Sequence, residues 1–135
     1  MERITVEAAT DNLQQVIDFT TEQLEAHDCP MKAVMQMELV VEEIFVNVSS
    51  YAYEPETGDV TICVEFADNP SAVEITFIDG GKPYNPLEKD DPDTTLGIDE
   101  REIGGLGIFL VKKNVNDISY EYADGKNILR VKKFF

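Results

Sequence analysis

With 27 acidic against 11 basic residues in 135, the chain carries a formal net charge of −16. That balance argues against DNA or RNA as a partner, because nucleic-acid affinity depends on neutralising phosphates with Lys and Arg. The length fits one domain over residues 1–135, the apolar content excludes long disorder, and the absence of a basic, apolar leader or of any run near ~18 apolar residues leaves a cytoplasmic protein as the expectation.

Two cysteines, Cys29 and Cys63, and the lone His27 form no metal-ligand spacing. An anionic ligand would therefore have to be met locally, by backbone N–H groups at a helix N-terminus, by a divalent metal, or by one or two placed cations.

In chain order, residues 3–8 (RITVEA) alternate as a half-buried strand, and Thr10 and Asp11 offer N-caps for an amphipathic helix over 12–27. Residues 31–52 (MKAVMQMELVVEEIFVNVSSYA) are apolar over most of a helical circumference, which predicts a central helix buried under several neighbours, with Pro30 suited to its first turn. At about 100° per residue a narrow polar stripe, Lys32, Gln36, Glu43, Asn47 and Ser50, runs along it. Glu43 and Asn47, four apart, stand side by side. A Glu on a buried helix is costly unless paired or wetted, so the stripe either faces a water- or ligand-filled pocket or is the helix's solvent seam; Val40, within the same arc, favours the seam.

Residues 60–66 (VTICVEF) and 73–78 (VEITFI) alternate and are joined by the turn DNPS, which predicts an antiparallel hairpin. Residues 79–103 are too polar for a core and too long for an idle connection, as lids or disordered segments are. Gly104-Gly105-Leu106-Gly107 then opens a short helix with Lys112 and Lys113 toward its end. Strands over 117–122 and 127–134, joined by Ala123-Asp124-Gly125-Lys126, close the pattern as a second hairpin. The order β, α, α, β, β, loop, α, β, β predicts an α/β two-layer sandwich, helices on one face of a mixed, mostly antiparallel sheet.

Three pieces stand out: Glu43-x-x-x-Asn47 on the central helix, Asp79-Gly80-Gly81 at a strand end, and Gly104-Gly105-Leu106-Gly107 at a helix start. Each occurs often by chance; their order and distances are more telling together. The set resembles the ATP-binding domain of the GHKL superfamily with its Bergerat fold, and within it the anti-sigma-factor serine kinases of bacteria. The resemblance spans essentially the whole chain. It implies ATP and Mg²⁺ as cofactors, Glu43 as the catalytic base and Asn47 as the Mg²⁺ ligand. It further implies that Asp79 accepts the adenine amino proton beside Gly81, which leaves room for the base, and that backbone N–H groups of Gly104, Gly105, Leu106, Gly107 and Ile108 hold phosphates.

Arg101 is the candidate γ-phosphate contact from a lid that is otherwise strongly acidic over 88–103. The implied activity is phosphorylation of an anti-anti-sigma (STAS-type) partner on serine by a protein that also binds a sigma factor, as a homodimer, with neither nucleic acid nor membrane bound. The alternative is a non-catalytic ATP/ADP-binding switch that regulates a partner. The chain departs from that family's pattern at two places: Tyr51 stands where a His is common, and Gly125-Lys126-Asn127 stands for the usual Gly-Thr of the last hairpin.

Overall fold

The structure is a computed structural model and describes residues 1–53, 56–88 and 105–135. Its elements are β1 (Glu2–Glu7), α1 (Leu13–Ala26), α2 (Met31–Tyr51), β2 (Asp59–Ala67), β3 (Ala72–Asp79), α3 (Gly105–Asn114), β4 (Asp117–Ala123) and β5 (Lys126–Phe134). The strands form a five-stranded sheet in the order β1-β2-β3-β5-β4. Every neighbouring pair is antiparallel, so the mixed character expected from the sequence is not present among the described strands.

Alternation decides which face is covered. Val60, Ile62 and Val64 of β2, Val73, Ile75 and Phe77 of β3, and Leu129 and Val131 of β5 are buried in one core, while the residues between them face the other side of the sheet. The helices supply the second layer. Val16 and Leu24 of α1, Met37, Val41, Ile44 and Phe45 of α2, and Val111 of α3 join the same cluster. Thr21 of α1 donates to Glu38 Oε1 of α2 at 3.0 Å, a polar tie above the apolar contact. The β4–β5 turn has Asp124 at φ 53° and Gly125 at φ 75°, the two left-handed residues of a type I′ hairpin.

Three local expectations change. Thr10 and Asp11 do not cap α1: residues Thr10–Asn12 form a 3₁₀ turn with no side-chain cap, and the Asn12 amide reaches back to Glu7 O at 2.9 Å instead. Pro30 lies just before α2 in extended conformation, with ψ at 145°, rather than inside its first turn. Nor is α2 buried all round. Met31 and Met35 are 68% and 62% exposed, because α1 and α3 cover its flanks and the sheet its inner face, leaving one side of the N-terminal turns unpartnered.

One close approach fixes how α2 meets the sheet. A Cβ on Gly81 would lie 2.1 Å from the Ala52 carbonyl oxygen, whereas one on Gly80 would meet only the Tyr53 hydroxyl at 3.5 Å. The Ala52 carbonyl also accepts the Lys82 N–H at 2.8 Å. The chain leaving β3 is thus pinned to the chain leaving α2. Gly81→Ala should cost about 1–3 kcal/mol in urea unfolding, and Gly80→Ala should stay within about 0.5 kcal/mol; equal costs would mean that the approach at Gly81 is not needed. In the core, Phe45→Ala should lose about 3–5 kcal/mol and Met35→Ala about 0.5 kcal/mol or less, measured the same way.

Candidate nucleotide site

The C-terminal half of α2, the end of β3, and β4, β5 and α3 enclose a cleft. It is narrow, with about 40 Å³ of enclosed volume, and opens to solvent on one side. Its walls are mostly apolar, with Ile44 and Val48 of α2, Phe77 of β3, Leu129 of β5 and Ile108 of α3, and its polar groups are few: Asn47, Asp79, Lys82 and Asn127 among them. An apolar slot with a small set of convergent polar groups suits a flat heterocycle.

Asp79, the last residue of β3, is only 6% exposed. A carboxylate at that depth needs donors. Its Oδ1 accepts the Gly81 N–H at 2.9 Å and the Asn127 amide at 3.0 Å. Its Oδ2 has no hydrogen-bond partner among the described residues, so one acceptor oxygen remains for whatever enters. The segment after it is held from a second side by Tyr53, whose hydroxyl accepts the Gly80 N–H at 2.7 Å and donates to Asp59 O at 2.6 Å.

Asn127 was not among the residues picked out by the motifs. The sequence signal for it was the break in the family's Gly-Thr pattern, and the structure shows what replaces that pattern: a carboxamide opposite Asp79 in the β3–β5 register. Tyr51, in the place of the common His, is 39% exposed and stacks against Tyr84 with ring centroids 6.2 Å apart. These two rings border the cleft.

The polar stripe of α2 is neither a continuous seam nor a continuous pocket wall. Val40 within it is fully buried and splits it. Lys32 and Gln36 lie on the open N-terminal side, Asn47 lines the cleft, and Glu43 lies against α3. A Cβ on Gly107 would sit 2.6 Å from Glu43 Oε2, so the carboxylate occupies the space that any other residue at 107 would fill. Burial, and then the neighbouring Glu42, push the Glu43 carboxyl above its ordinary value of 4.5.

Gly107 and Ile108 lie in the first turns of α3, where backbone N–H groups lack intrahelical acceptors, as do those of Gly105 and Leu106. Lys112 and Lys113 in its last turn complement the helix dipole. Arg101 and Gly104 lie outside the described residues, as does the acidic stretch around Arg101. Cys29 and Cys63 are free thiols, and among the described residues no helix is long and apolar enough to cross a membrane.

A family profile described as a histidine kinase-like ATPase domain matches residues 6–133. The chain is 26% identical over 91 residues to the serine/threonine-protein kinase BtrW of Bordetella bronchiseptica, an alignment covering 67% of this chain and 63% of that protein. It is 24% identical over 103 residues to the serine-protein kinase RsbW of Bacillus thuringiensis, covering 73% and 63% respectively. The chain therefore spans less than two thirds of the length of these curated relatives. The profile accounts for nearly every residue from β1 to β5: this chain belongs to the histidine kinase-like ATPase family.

Proposed function

We propose that the chain binds ATP with Mg²⁺ in the cleft beside α2 and transfers the γ-phosphoryl group to a serine hydroxyl of a partner protein. One geometry carries this reading. Glu43 and Asn47 stand one turn apart on α2, with Asn47 on the cleft that also contains Asp79 and with Glu43 against the first turns of α3.

Asp79 Oδ2 accepts the exocyclic amine of adenine; guanine presents a carbonyl oxygen at that position, which an ionised carboxylate repels. Gly81 lets the chain lie against Ala52 and gives its N–H to Asp79 Oδ1, which leaves Oδ2 to the base. The N–H groups opening α3, from Gly105 to Ile108, face the phosphates with the helix dipole behind them, and Gly104 and Arg101 extend that contact from the preceding segment.

The residues present fit Mg²⁺ as a ligand shared with phosphate. Among the described residues no group of three or more His, Cys, Asp or Glu could hold a metal, whereas the Asn47 carboxamide lines the cleft without a protein partner among them. Mg²⁺ takes six oxygens and keeps water and phosphate among them, so one neutral protein oxygen suffices. When bound, the ion neutralises charge on the phosphate oxygens. Glu43 accepts the proton of the serine hydroxyl as its oxygen attacks the γ-phosphorus and ADP leaves, and the upward push on its carboxyl brings it closer to the range in which a base works.

Serine as the acceptor is supported by the names of the relatives, both protein kinases. An anti-anti-sigma (STAS-type) protein as substrate, a sigma factor as the bound target and a homodimeric, cytoplasmic state follow from the resemblance to the anti-sigma-factor kinases. Glu43→Gln is the test. A carboxylate near triphosphate oxygens repels them in the ground state, so the variant should hold ATP as tightly as the wild type or tighter, while its transfer to the partner serine falls about 10²-fold or more. Transfer by the variant at the wild-type rate removes Glu43 as the base. Nucleotide binding without transfer by the unmodified chain, given its partner, leaves the non-catalytic switch.

A further inference from the structure

Asn127 is as deeply buried as Asp79, at 6% exposed, and makes hydrogen bonds through both ends of its carboxamide. Oδ1 accepts the Tyr84 N–H at 3.1 Å and the Tyr120 hydroxyl. Nδ2 donates to the Lys82 carbonyl at 2.8 Å and to Asp79 Oδ1 at 3.0 Å. Two of these partners are backbone groups with fixed roles. A flipped amide would set its NH₂ against the Tyr84 N–H and its oxygen against the Lys82 carbonyl, so the orientation is determined by the main chain. Only N–H can face Asp79. Together with the Gly81 N–H it occupies Oδ1 and turns the remaining oxygen, Oδ2, over to the ligand.

We infer that Asn127 is a specificity-determining positioning residue, which holds Asp79 as a pure acceptor in one rotamer and thereby selects a purine nucleotide with an amino group, rather than a carbonyl, at position 6. The inference rests on the reading of Asp79 as the base contact. Its logic is a difference of hydrogen-bond roles. An Asp at 127 would put a second carboxylate about 3 Å from the first; two such groups share a proton rather than both ionising. The shared proton takes charge off Asp79, so that Oδ2 accepts the amine less strongly and repels a purine carbonyl less.

The test measures calorimetric dissociation constants for ADP and for inosine diphosphate, which carries the carbonyl, with thermal melts alongside. The wild type should prefer ADP by about 10²-fold or more, and Asn127→Asp should shrink that preference at least tenfold, mainly by weakening ADP. Should that variant not fold, Tyr120→Phe removes one of the two donors that orient the amide while keeping the ring, and should narrow the preference about threefold. An undiminished preference in the folded variant, with both nucleotides weakened together, overturns the role of Asn127 and leaves Asp79 standing as the base contact. A wild type that does not distinguish the two nucleotides overturns both.

Discussion

A carboxylate at the end of a core strand, 6% exposed, is the constraint that the rest of the site answers to. Burying Asp79 costs several kcal/mol unless its charge is solvated by donors, and the chain supplies them from two directions: the turn after β3 through Gly81, and the neighbouring strand β5 through Asn127. Each donor is in turn held. Gly81 lies against the Ala52 carbonyl and Asn127 is gripped by Tyr84, Tyr120 and Lys82. The polar network is therefore continuous with the packing of α2 on the sheet, and a shift in that packing is felt at the carboxylate.

In the proposed reading, the same packing lets an acidic protein present an anion site. Net charge sets long-range potential, but a ligand in a cleft feels the nearest groups in a medium of low dielectric. In that reading those groups are the start of α3, whose first N–H groups have no acceptor within the helix, and Lys82 on the cleft. Gly107 lets α3 sit close enough to α2 for Glu43 to touch it, which in the proposed reading brings a proton acceptor to the phosphate end without adding a cation. The desolvation that raises the Glu43 carboxyl follows from that closeness.

Much of this was legible in the sequence because it depends on short-range pattern. Alternation identifies all five strands to within one residue at each end; the turn at Asp124 and Gly125 is legible from residue type. The Glu43 and Asn47 pair was legible from spacing on one helix. Asn127 was not, because its importance comes from the register of β5 on β3, a long-range fact that no local pattern encodes. The exposure of Met31 and Met35 was missed for a related reason: periodicity says how much of a helix is apolar, not how many neighbours arrive to cover it. The caps of α1 failed because residues 10–12 wind into a 3₁₀ turn before the helix, with the Asn12 amide bonded to Glu7 O.

If the cleft is a nucleotide site organised around Asp79, one measurement bears on it directly: calorimetric titration of Mg²⁺-ATP into the wild type and into Asp79→Asn, with circular dichroism to show that both are folded. The account predicts saturable binding of one ATP per chain by the wild type, weakened about tenfold or more by the loss of a charged acceptor. Equal affinity in the two proteins, or no binding by the wild type, would contradict it.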